Sequence, residues 1–214
     1  MKKMISLIMA ITLMFSLAAC GETSPDESTT GSGNSPSTTA SSQPSGSDSH
    51  TDSAADGKVL VAYFSWSGNT EEMASYIAQQ TGGDLLKIEP ETPYPTDYNE
   101  CGQVAQIERD NNDRPAIANL PESIDEYDTI LIGYPIWWHT APMIIGTFLE
   151  SYDLTGKDIY PFTQSASMDR EQFENSMDFI RQSAPNANVH DGLFVRPSNT
   201  SAIDSYLSEN AVIE

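Results

Sequence analysis

The chain has 214 residues, and its 31 Asp and Glu outweigh 10 Lys and Arg to give a formal net charge of −21. That balance excludes roles needing a cationic face, binding of nucleic acid and of anionic lipid among them. Two cysteines and three scattered histidines offer no metal-ligand spacing, so no metal is expected.

In chain order, the first element is "MKKMISLIMAITLMFSLAAC", residues 1–20. Two lysines, an apolar run from Met4 to Ala19 and small residues before Cys20 make a secretory signal peptide. The run is slightly short for a membrane span. Its "LAAC" ending resembles a bacterial lipobox, which implies lipidation at Cys20 and a protein anchored by lipid on the extracytoplasmic face of the cell membrane. Residues 21–57 are rich in Ser, Thr, Gly and Pro, with no aromatic or large aliphatic residue. They cannot bury enough apolar surface to offset chain entropy, and read as a disordered linker. Residues 58–214 then form one domain, large enough for its own core and carrying a net charge near −17. With Cys20 lipidated, Cys101 stands alone. Its helix-like setting beside Val104 and Ala105 makes it a buried thiol rather than a nucleophile.

Within the domain, "KVLVAYF" (58–64) and "TILIGYP" (129–135) are near-continuous apolar runs, the pattern of strands buried on both faces of a parallel sheet. Weaker strand patterns lie at 84–89, 157–162 and 192–195. Helical patterns fall between them. Met73, Ala74, Ile77 and Ala78 share one face before Gly82-Gly83. Pro142 sits at a first-turn position, and Asp169 with Gln172 has capping-box spacing ahead of Phe173, Met177 and Ile180. A short helix around Ile203, Tyr206 and Leu207 closes the chain. Strand alternating with helix five times predicts an α/β fold: a doubly wound five-stranded parallel sheet in a three-layer α/β/α sandwich.

Ligands of such sheets bind beyond the carboxyl ends of the strands. There the first strand runs into "SWSGNT", Ser65 to Thr70. A helix starting near Asn69 aims unpaired N–H groups and its positive dipole end into this turn. Ser65, Ser67, Asn69 and Thr70 add side-chain donors, and Gly68 permits close approach. The result is a neutral anion cradle suited to a phosphate that is bound rather than transferred. The plainer alternative is an ordinary helix cap. A hydrolase elbow, with Ser67 as nucleophile and His139 or His190 as base, needs Gly at position 65, which is Ser. After the 129–133 strand, "GYPIWWHTAP" places Tyr134, Trp137, Trp138 and His139 in a loop. One Trp there fits a core; two are better accounted for by a planar aromatic ligand.

"VLVAYFSWSGNTEEMA" resembles the first strand and phosphate loop of the flavodoxin family. "YPIWWHTAP" is similar to the second flavin loop of the branch carrying Y-P-x-W-W, and "YPTDYNE" with "IERDNNDRPAI" resembles that branch's linking segment. The resemblance implies FMN as cofactor. Its phosphate would lie at Ser65, Trp66, Ser67, Gly68, Asn69 and Thr70. Its ring would lie between Tyr134, Pro135, Ile136, Trp137, Trp138 and His139 on one side and Thr163, Gln164 and Ser165 on the other. The third loop, "PFTQSASMD", lacks the Gly usual in that branch. The implied function is electron transfer with an unknown redox protein or a quinone. An FMN-dependent NAD(P)H or quinone reductase, with His139 as a candidate proton donor, is the alternative. A binding lipoprotein that kept the fold without FMN is the reading from another class. The acidic domain is also expected to lower the flavin potential.

Overall fold

The computed structural model describes residues 58–213; the expected signal peptide, Cys20 and the expected linker lie outside the described residues. The domain alternates strand and helix. Its elements are β1 (Lys58–Tyr63), α1 (Asn69–Thr81), β2 (Asp84–Lys87), α2 (Tyr98–Asn111), β3 (Tyr127–Pro135), α3 (Met143–Glu150), β4 (Asp158–Gln164), α4 (Arg170–Ser183), β5 (Asn188–Val189), β6 (Leu193–Phe194) and α5 (Thr200–Glu209). The sheet is parallel and ordered β2-β1-β3-β4-β5, with β6 also on β4. That is the doubly wound arrangement expected. The fifth position is filled by two short strands, β5 opposite Asp158–Ile159 and β6 opposite Phe162–Thr163. Only the second was legible, because "NV" is too short to carry a strand pattern.

β1 and β3 occupy the middle of the sheet, and each buries both faces. Leu60, Ala62, Phe64, Ile130, Ile132 and Tyr134 point to one side, against Ile144, Ile145 and Phe148 of α3 and Ile180 of α4. Val61, Tyr63 and Leu131 point to the other, against Met73 and Ile77 of α1 and Ile203 and Leu207 of α5. The period-two alternation of a strand thus divides one apolar run between two cores. A glycine is needed where β3 meets β4. A Cβ on Gly133 would lie 2.2 Å from Cζ of Phe162, its neighbour in register.

Helix ends follow local chemistry. Asp97 caps α2 by accepting from the N–H of Asn99 and Glu100, Asp169 caps α4 by accepting from Glu171 and Gln172, and Asn199 caps α5. The expected capping box at α4 is only half made, since the Gln172 side chain turns instead towards a cavity. Pro142 lies one residue ahead of α3, in extended conformation. Among the described residues, no helix is long and apolar enough to cross a membrane.

Candidate functional site

The strand order reverses between β1 and β3, so their carboxyl ends open a crevice. A cavity of about 570 Å³ lies there. Trp66 from the loop after β1 lines it, with Ile136, Trp137, Trp138 and His139 from the loop after β3. Ser165, Ala166 and Ser167 come from the loop after β4, and Gln172 from α4. The remaining wall is α2: Tyr98, Asn99, Cys101, Gly102, Gln103, Ala105 and Gln106. None of the lining residues is Asp, Glu, Lys or Arg.

The turn after β1 lies beside this cavity. Gly68 has φ +90°, and it precedes α1 with no side chain capping the helix. The Ser65 hydroxyl accepts from the Gly68 N–H at 3.1 Å, folding the turn, and Asn69 Nδ2 donates to Ser67 Oγ at 3.3 Å. Thr70, the second residue of α1, is 1% exposed. α2, α4 and α5 each use a side chain for capping, whereas α1, like α3, has no side-chain cap, and its first N–H groups open beside the cavity. That arrangement fits a bound phosphate better than an ordinary cap. Glu71 in the first turn of α1 is paired with Lys87 at 3.1 Å, which moderates its repulsion of an anion.

The two Trp of the second loop have different surroundings. Trp137 packs edge-on against Phe64 and Tyr94, at ring separations of 5.3 and 5.2 Å. Behind it, the Tyr94 hydroxyl donates to Glu108 Oε2 at 2.7 Å. Burial pushes both groups above their ordinary pKa values, and the bond from Tyr94 partly offsets this for Glu108. Trp138 is 41% exposed. Its indole N–H donates to the Gly102 carbonyl on α2 at 2.7 Å, so it rests on the far wall.

Between them the backbone makes a two-residue turn, Trp137 and Thr140 exchanging both hydrogen bonds. Trp138 and His139 carry φ of +47° and +67°. That is the left-handed pair of a type I′ turn, normally the place of Asn-Gly. The conformation costs each residue about 1–2 kcal/mol.

The predicted residues divide by placement. Trp66, Ile136, Trp137, Trp138, His139 and Ser165 line the cavity; Ser65, Ser67, Gly68, Asn69 and Thr70 form the turn next to it. Tyr134, Pro135, Thr163 and Gln164 are buried at the strand ends and do not line it. The Tyr134 ring points into the core, its hydroxyl beside Ser176 Oγ at 3.3 Å, and the Thr163 hydroxyl donates to the Tyr134 carbonyl. Burial raises the Tyr134 pKa well above that of a free phenol. Of the hydrolase arrangement, no Ser–His hydrogen bond forms at Ser67 among the described residues. His190 pairs with Asp158 at the amino end of β4, opposite the turn, and the side-chain partner of Ser67 is Asn69. Cys101 is buried, as expected, yet it belongs to the cavity wall, and burial raises its thiol pKa. Sequence reasoning missed the whole α2 wall. The signal available was the polar row Asn99, Gln103 and Gln106, spaced along one helical face.

Comparison with known proteins agrees with this geometry. The family model described as "Flavodoxin" matches residues 58–210. A candidate flavoprotein from Bacteroides eggerthii DSM 20697 is 37% identical over 73% of this chain and 99% of its own, with a TM-score of 0.66. A second from Bacteroides uniformis ATCC 8492 is 33% identical over 71% and 98%, with a TM-score of 0.65. A flavoprotein from Lactobacillus acidophilus NCFM, solved in complex with FMN, is 26% identical over 70% and 98%, with a TM-score of 0.58. Among curated proteins none matches. With a family model spanning nearly the whole described domain and two relatives above 30% identity, the chain belongs to the flavodoxin family.

Proposed function

We propose that the chain binds FMN and serves as an electron-transfer protein, held by lipid on the extracytoplasmic face of a cell membrane. The observation that carries the reading is the uncapped turn at α1 standing beside a cavity walled by aromatic rings. A related flavoprotein with FMN bound supports the choice of ligand. Bound FMN supplies reversible one- and two-electron transfer. The turn from Ser65 to Thr70 would hold the phosphate through backbone N–H groups and the Thr70 hydroxyl. Trp66, Trp137, Trp138 and Tyr98 offer flat apolar surface to the ring, and the amides of Asn99, Gln103, Gln106 and Gln172 offer donors and acceptors to its edge.

Titration of the purified chain with FMN, followed by flavin fluorescence, tests this. Stoichiometric quenching is expected, and Gly68→Ala, whose added Cβ meets nothing but whose φ of +90° strains any L-residue, should weaken binding about tenfold. No quenching at micromolar protein would defeat the reading. The location rests on the Met4–Ala19 run and on Cys20. Cys20→Ser should move the protein from the membrane fraction to the soluble one or leave an uncleaved precursor. An unchanged, fully processed membrane-bound product would refute lipid anchoring.

A further inference from the structure

We propose that Arg109 of α2 is a positioning residue for the candidate site, holding the loop after β3 in its left-handed form. Trp138 and His139 together occupy a backbone conformation that neither side chain favours, with φ of +47° and +67°. Left to itself, such a turn relaxes. What opposes relaxation lies on another element. Arg109 Nη1 donates to the Trp138 carbonyl at 3.1 Å, so the guanidinium bonds the strained peptide itself. The same group lies 5.5 Å above the Trp138 ring, and earlier on α2 the Gly102 carbonyl accepts the Trp138 indole N–H at 2.7 Å. Asp110 accepts from the other side of the guanidinium and fixes its orientation. One side chain thus grips both the backbone and the ring of Trp138. A lysine, with a single compact charge, cannot do both.

The consequence reaches the ligand through Trp137, Trp138 and His139, which line the cavity from this turn. Arg109 is absent from the lining and acts on the site only through Trp138. If the turn relaxes, these three side chains shift together, and the two walls formed by the loop and by α2 lose their fixed separation. For its ligand this inference rests on the FMN reading given above; for the turn itself it does not.

The test uses the purified full chain with Arg109→Ala, His139→Gly and the double variant, measured in two ways. Without ligand, hydrogen exchange at the Trp138 indole is followed by NMR, and thermal unfolding is recorded. With FMN, the dissociation constant is measured. In Arg109→Ala the indole proton should exchange at least about tenfold faster and FMN should bind about tenfold more weakly, equivalent to about 1.4 kcal/mol. Glycine at 139 accepts the left-handed conformation without strain and so removes one of the turn's two strained residues, and in that background removing Arg109 should cost clearly less affinity than in the unaltered chain. That rescue separates positioning from general destabilisation, which glycine would not repair. An Arg109→Ala chain that unfolds earlier but keeps both its indole protection and its FMN affinity would overturn the proposal. So would equal losses in the two backgrounds. Should the unaltered chain fail to bind FMN, the cofactor reading falls, and indole exchange still decides the role of Arg109.

Discussion

At the scale of single residues, the pair behind Trp137 makes the domain sensitive to pH. Burial raises the Glu108 pKa above its ordinary 4.5, and the hydrogen bond from Tyr94 pulls it back. A carboxyl whose folded pKa is raised contributes stability that is complete below its unfolded pKa and is lost as pH rises through the folded value. The Glu108 contribution therefore falls from just below pH 4.5 upward. Tyr94→Phe removes the one interaction that favours the charged form. Its folded pKa should rise further in the variant, and the variant should lose about 1.5 kcal/mol at pH 7 but less at pH 4. Urea unfolding at the two pH values, with carbon NMR titration of the Glu108 carboxyl, checks this. Equal losses at both would mean that the hydroxyl merely fills space. Residue identity also decided how legible the site was. "SWSGNT" and "IWWH" announced themselves because Gly, clustered hydroxyls and paired indoles are unusual in a loop. Tyr134 did not reveal its direction, since a strand buried on both faces has no polar side to set its phase.

At the scale of elements, β3 and β4 depend on one close approach. Gly133→Ala would drive a methyl group to within 2.2 Å of the Phe162 ring, which is itself fully buried. The ring cannot yield without opening the core against α1 and α5, so a loss of about 3 kcal/mol is expected. Thermal unfolding reads it directly, and a shift of less than about 2 °C would contradict the packing described. Strands such as β1 and β3 were plain in the sequence because a short apolar run ended by turn residues suits a strand covered on both faces. α2 was recognisable as a helix but not as a wall. Only Cys101 and Ala105 are buried on it, while Tyr98 and Ile107 are exposed, so its pattern resembles that of a surface helix. Polar side chains facing a ligand and polar side chains facing water read alike. The difference appears only when the topology folds α2 over the crevice.

At the scale of the whole molecule, the charge is the dominant property. A domain with a net charge near −17 disfavours further negative charge on any bound flavin, so the potential should rise as salt screens the field. The Debye length falls from about 30 Å at 0.01 M to about 3 Å at 1 M, spanning the size of the domain. Potentiometry of the FMN-loaded protein over that range should show a steady upward shift. A flat response would mean that only groups in contact with the flavin set its potential. The doubly wound architecture was legible at this scale from the alternation of strand and helix alone, whereas the division of the fifth sheet position into β5 and β6 was not. That division has a consequence for how copies of the protein meet. A sheet edge is a row of unsatisfied donors and acceptors onto which a neighbour can add its own strand. Here β5 and β6 offer two residues each, and between them His190 turns aside to stack on Tyr160 at 4.2 Å and pair with Asp158. An incoming strand would lose its ladder after two residues, so crowded copies gain little by zipping together along this side.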